Sequence, residues 1–109
     1  MDWSLETSGA RLVGKPVGRV DETTWEAFSS HLIAAVQDAK AAGKALVLDL
    51  AGLDYMSSRG LRALTMAKRE AGDAVSITLA APNARMREIL AISRYDKLFP
   101  ITDDVGPDA

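Results

Sequence analysis

The chain contains no cysteine and a single histidine, His31. The first absence removes disulfide frameworks, iron–sulfur clusters, zinc ribbons and thiol catalysis. The lone histidine removes His-rich metal sites and the two-histidine zinc hydrolase motif, so no metal ligands and no cofactor are expected. A basic excess is also missing: thirteen Lys and Arg stand against fifteen Asp and Glu, for a net charge of −2 and a pI near 5.3. Nucleic-acid binders normally carry such an excess, so nucleic acid is not an expected partner. Long apolar runs are absent too. A stretch such as Ala45-Leu46-Val47-Leu48, stopped by Asp49, is far too short to span a bilayer. The opening Met-Asp-Trp-Ser-Leu-Glu has no basic start and no apolar segment behind it, unlike a signal peptide. A cytoplasmic protein without direct membrane insertion is expected.

What is present suffices for one core. The 109 residues are 48 % hydrophobic and 26 % charged, which suits one globular domain over 1–109 and not two. Only 102–109, with Asp103, Asp104, Gly106, Pro107 and Asp108, offers no core face and reads as a loose tail.

Trp3 and Leu5 alternate with Ser4 and Glu6, predicting a short first strand, and Ser8-Gly9 a turn. Ala10 to Val20 alternates loosely. Pro16 within it predicts an edge strand or a break, because proline donates nothing to a sheet ladder. Asp21 is the expected N-cap of a helix with Glu22 and Glu26 in its first turn. Trp25, Phe28, Leu32, Val36 and Ala39 form its apolar stripe, and Gly43 ends it. His31 lies about a quarter turn off that stripe and is expected at the boundary or surface.

Ala45 to Leu50 reads as a strand buried on both faces. The chain then loops past Tyr55, and a second helix runs from Ser57 or Ser58 to about Ala71. Val75 to Leu79 is another strand, Asn83 caps a third helix through Met86, Ile89 and Leu90, and Phe99-Pro100-Ile101 adds a last short strand. The predicted class is α/β: a mixed sheet of about four to five strands, antiparallel in its first pair, with helices packed on it.

Asp49 to Leu64 carries most of the chemistry. A buried strand is followed by Tyr55-Met56-Ser57-Ser58-Arg59-Gly60 and a helix start. Ser58 there is open to three readings. It can be an N-cap and nothing more. It can be a nucleophile at a strand-to-helix turn, but Met56 stands where the first glycine of Gly-x-Ser-x-Gly belongs, and the only histidine precedes it. Or it can accept a phosphate, which free helix N–H groups and the dipole favour. Along the helix, Gly60, Leu64, Ala67 and Ala71 make a narrow packing side, and Arg59, Arg62, Met66, Arg69 and Glu70 lie opposite. Three arginines around a methionine suit a solvated face or a partner surface. Gly60 is expected to matter for close approach in the fold and still more to the partner. Asp49 reads as a structural carboxylate. A phospho-aspartate receiver lacks its acidic pair after the first strand, and Gly43-Lys44 lacks the rest of a phosphate loop.

The chain resembles the STAS domain family, in particular stand-alone bacterial anti-sigma factor antagonists. The matching residues are Gly18-Arg19-Val20-Asp21, Leu46-Val47-Leu48-Asp49-Leu50, Tyr55 to Arg62, and Arg87-Glu88-Ile89-Leu90 through Tyr95-Asp96-Lys97-Leu98-Phe99. The resemblance runs from about Trp3 to Ile101 and implies a binding module, not an enzyme, with no catalytic residues. Its implied partners are an ATP-binding anti-sigma factor that is also a serine kinase, and a serine phosphatase. The kinase phosphorylates the module and is released, and the phosphatase resets it, which places the module in signal transduction and transcription regulation. Ser58 matches the phosphorylated serine, with Ser57 as second choice. The implied partner surface takes in Asp21, Thr23, Tyr55, Met56, Ser57, Ser58, Arg59, Gly60, Arg62, Met66 and Arg69. Two positions depart from the family pattern: Ser57 stands where Asp is frequent, and Arg59 where a small residue is usual. STAS-like domains also serve as unphosphorylated accessory subunits of ABC-type membrane transport complexes, which is the alternative.

Overall fold

Strands β1 (Asp2–Ser8) and β2 (Arg11–Val20) form an antiparallel hairpin, turned at Gly9 with φ 62°. The computed structural model describes residues 1–106. After β2 come helix α1 (Trp25–Ala42), β3 (Ala45–Asp49), β4 (Leu53–Met56), α2 (Ser58–Ala71), β5 (Ile77–Ala80), α3 (Ala84–Ile92), a 3-10 turn over Tyr95–Lys97, and β6 (Ile101–Thr102). The sheet has six strands in the order β1-β2-β3-β5-β6, with β4 on β2, and every pairing except β1–β2 is parallel.

Strand β2 is neither an edge nor interrupted, contrary to the expectation from Pro16. Its first half, Arg11 to Gly14, pairs with β3, and its last residues, Gly18 to Val20, pair with β4. Pro16 falls between these two ladders, where no parallel neighbour requires its missing N–H. What breaks near Pro16 is the neighbouring ladder, while β2 itself runs on. The register shifts between Gly18 and Arg19, and Gly18, at φ 113°, takes a conformation that side-chain-bearing residues rarely adopt.

The segment past Tyr55, expected as a loop, is the short strand β4. Its pairing with β2 explains why four residues suffice to order it.

Helix α1 buries Phe28, Leu32, Ala35, Val36 and Ala39. Helix α2 buries Gly60, Ala63, Leu64, Ala67 and Ala71. The small residues of α2 let it lie close against α1, and the buried faces meet in one core with Leu46, Leu48, Leu50, Leu53 and Leu79. His31 is exposed and stacks on Trp3, with ring centroids 5.4 Å apart. The Asp49 carboxylate accepts from the Ala51 N–H at 3.1 Å. Asn83 caps α3, accepting from the Met86 N–H at 2.9 Å, and its amide donates to the Leu53 carbonyl at 3.1 Å, which ties α3 to β4. Of the expected loose tail, Thr102 pairs in β6 and Arg11 donates to the carbonyls of Val105 and Gly106. Residues 107–109 lie outside the described residues. Among the described residues no helix is long and apolar enough to cross a membrane.

Candidate functional site

Val20 and Met56, the last residues of β2 and β4, sit opposite each other in parallel register. Two parallel strands ending side by side deliver the chain to the same edge twice. The turn 21–24 leaves one strand and the start of α2 leaves the other. The Ser57 N–H donates to the Val20 carbonyl at 2.8 Å and locks the two exits together.

At the start of α2 the two serines separate. Ser57 is the N-cap: it is 9 % exposed, in extended backbone, and its hydroxyl accepts from the Gly60 N–H at 3.4 Å. Ser58 is the first helical residue, is exposed, and its hydroxyl has no partner among the described residues. The cap satisfies the Gly60 amide and leaves those of Ser58 and Arg59 without an intrahelical acceptor.

Asp21 does not cap α1, whose N-cap is Thr24 without a side-chain bond. Its carboxylate folds over the turn instead. Oδ1 accepts from the Thr23 N–H at 2.9 Å and from the Thr23 hydroxyl at 2.8 Å. The Asp21 N–H donates to Thr24 Oγ1 at 2.9 Å, and that hydroxyl donates to the Arg19 carbonyl at 2.8 Å. Bonding to Thr23 holds the Asp21 carboxyl below its ordinary 3.8, with smaller help from Thr24 and Arg19. Arg19 sits 3.4 Å from the Asp21 carboxylate, with its guanidinium 5.2 Å from the ring centre of Tyr55, its cross-strand neighbour.

Arg59 reaches across to α1. Its Nε lies 3.1 Å from Glu22 Oε2, and its guanidinium covers Trp25 at 5.2 Å. Below it, Trp25, Ser29, Arg59, Arg62, Ala63 and Met66 line a groove of about 250 Å³ between α1 and α2. Met66 is 50 % exposed there. The groove has an apolar floor and two cations on its rim.

The structure thus brings Asp21, Thr23, Tyr55, Ser58 and Arg59 to one edge and continues it along α2 through Arg62 and Met66. Arg69 is exposed but lies outside the groove lining. Three expected contact residues face inward. Met56 is 2 % exposed, Ser57 is held in its cap, and Gly60 is buried. A Cβ on Gly60 would stand 2.5 Å from Met56 Cγ and 2.7 Å from Val20 Cγ1. The absence of a side chain at that glycine lets α2 approach the two strand ends, so its role inside the fold is direct.

Sequence reasoning missed Glu22, Trp25 and Ser29 as members of this site. Trp25 fits the apolar stripe of α1, and Glu22 is expected in a dipole-friendly first turn that the structure starts only at Trp25, so local pattern accounts for both without a site. Their placement depends on β4, because only the β2–β4 pairing sets the start of α1 beside the start of α2.

A family model described as "Mlab, STAS domain" matches residues 4–101. No curated protein matches the chain by sequence. Solved structures do match in shape. An anti-sigma factor antagonist from Mycobacterium paratuberculosis superposes with a TM-score of 0.84 at 24 % identity, over 95 % of this chain and 86 % of that one. An anti-sigma-factor antagonist (STAS) domain protein from Planctomyces limnophilus gives 0.82 at 19 % identity, over 94 % and 90 %. The Bacillus cell fate determinant SpoIIAA in its phosphorylated form gives 0.63 at 18 % identity, over 92 % and 90 %. At these identities the likeness is one of fold.

Proposed function

The chain belongs to the STAS domain family, and on that footing we propose that it is a regulatory binding module whose hold on a protein partner is set by phosphorylation of Ser58. One observation carries the choice of residue. Of the hydroxyls at this edge, Ser57 is buried in its cap, while Thr23 and Thr24 are committed to the 21–24 turn. Ser58 alone among these four is exposed with a free hydroxyl. A phosphate there meets two unsatisfied backbone amides and the positive end of α2.

The partner in this reading is an ATP-binding anti-sigma factor that is also the serine kinase. The Ser58 Oγ–P bond forms as the bond from the γ-phosphorus to the bridging oxygen of ATP breaks, and the hydroxyl proton passes to a base on the kinase. The module itself supplies an acceptor and a docking face and catalyses nothing. Unmodified, it binds the kinase and frees the sigma factor or other target. Modified, it lets go until a serine phosphatase restores the hydroxyl. Such a cycle suits a cytoplasmic protein.

Incubation with the cognate kinase and ATP, followed by phosphopeptide mapping, tests the proposal. Label on Ser58 that vanishes in Ser58→Ala is the expected result. Label confined to Ser57, Thr23 or Thr24 overturns the assignment. Firm binding to an ATPase with no label anywhere favours the alternative, an accessory subunit of a membrane transport complex that uses this face without modification.

A further inference from the structure

Two arginines follow Ser58, and the fold treats them differently. Arg59 is occupied twice, by the Glu22 carboxylate at 3.1 Å and by the Trp25 ring at 5.2 Å. Arg62 is exposed and has no ion-pair, hydrogen-bond or ring partner among the described residues. It stands four residues after Ser58 in the same helix. Side chains at i and i+4 lie one above the other on a helix, whereas neighbours in sequence point about 100° apart. The first turn of α2 carries no acidic residue to compete for Arg62.

We infer that Arg62, not Arg59, is the internal receiver of a phosphate on Ser58, and that in taking it Arg62 leaves the rim of the Trp25–Met66 groove. The inference rests on Ser58 being the modified residue and adds the route by which the modification reaches the docking face. Arg59 is disfavoured twice over: its position on the helix points it away from Ser58, and it would have to release both a carboxylate and an indole. Arg62 pays neither cost.

The consequence is a change in the charge of the groove. Without phosphate, two cations flank an apolar floor, which suits an acidic partner segment with an apolar anchor. With phosphate, Arg62 is neutralised and about −1.5 to −2 charges stand at the head of α2. The same acidic partner loses one attraction and meets a repulsion. Modification of one hydroxyl then acts twice on the surface without altering the core.

Phosphoserine inserted at position 58 during translation tests the pairing without any kinase. The second ionisation of the phosphate is followed by phosphorus NMR in wild type, Arg62→Gln, Arg62→Lys and Arg59→Gln. All three substitutions fall at exposed positions. The expected result is a rise of the phosphate pKa in Arg62→Gln by several tenths of a pH unit, partial recovery in Arg62→Lys, and little change in Arg59→Gln. A rise in Arg59→Gln alone, or no rise in any variant, overturns the inference. The two readings fail separately. A kinase that leaves Ser58 unlabelled counts against the proposed function, while label on Ser58 with a phosphate indifferent to Arg62 counts against this pairing alone.

Discussion

Ser57 turns its hydroxyl inward onto the Gly60 amide, and Ser58, the next residue, turns its own to solvent. The division follows from the helix start. The N-cap is the last non-helical residue, and its side chain bends back over the first turn. The residue after it already follows the helix and projects outward. Two identical side chains thereby take different surroundings, one held in a cap and one open to solvent.

Their stabilities should separate accordingly. Ser57→Ala should cost about 0.5–2 kcal/mol, the usual loss for an N-cap hydroxyl. Ser58→Ala removes no bond and should stay within about 0.5 kcal/mol of wild type. Denaturant unfolding of both variants reads the difference. Equal losses would mean that the cap is shared.

Gly60→Ala should destabilise by about 1–3 kcal/mol, the range for overpacking a filled core. The added carbon meets Val20, a branched and fully buried side chain at 0 % exposure, and Met56, which is more adaptable. Thermal unfolding checks this. An unchanged midpoint with weakened partner binding would return Gly60 to the docking surface.

Much of this architecture was legible because local pattern and burial agreed. Phe28, Leu32, Val36 and Ala39 recur at helical spacing and are buried at that spacing, and Asn83 caps the helix that it precedes. The failures share one cause. Pro16 argues for an edge, Tyr55 for a loop, and Asp21 for a cap, each on local grounds. Each is settled by contacts that local pattern does not show: β2 lies between β1 and β3, Tyr55 pairs in β4 with the end of β2 more than thirty residues away, and the Asp21 carboxylate bonds to Thr23 in its own turn. Site residues on α2 were visible as a charged stripe. Those at the start of α1, Glu22 in the turn before it and Trp25 at its first residue, were not, since their role exists only once the two helix starts lie together.

The Asp21 turn should respond to acid. Because its carboxyl is held below the ordinary 3.8, chiefly by the Thr23 hydroxyl, its contribution to stability is present above that value and is lost as pH falls through the lowered one. Carbon NMR of the Asp21 carboxyl should show a midpoint under 3.8. In Thr23→Ala the midpoint should move upward, toward the ordinary value. An unshifted midpoint in that variant would mean that Thr23 is not the main cause.

The last test concerns the rim of the groove. Arg62 is exposed and has no partner among the described residues, so Arg62→Glu should leave the fold intact and change only what approaches it. Against an acidic partner, the reversal turns an attraction into a repulsion worth on the order of 1 kcal/mol at low salt. The loss should shrink as salt rises, because charges are screened over about 30 Å at 0.01 M and about 10 Å at 0.1 M. Titration calorimetry with the cognate partner at both salts measures it, and Ser58→Asp should weaken binding in the same direction, less completely than a phosphate. If Arg62→Glu binds like wild type at both salts, the partner docks elsewhere. Another groove lies on the other side of Tyr55, where Arg85, Glu88, Ile89 and Ile92 of α3 border a volume of about 490 Å³ and Ile92 is 76 % exposed. Binding there would be driven by apolar contact and would vary little with salt, so the same two measurements distinguish the two faces.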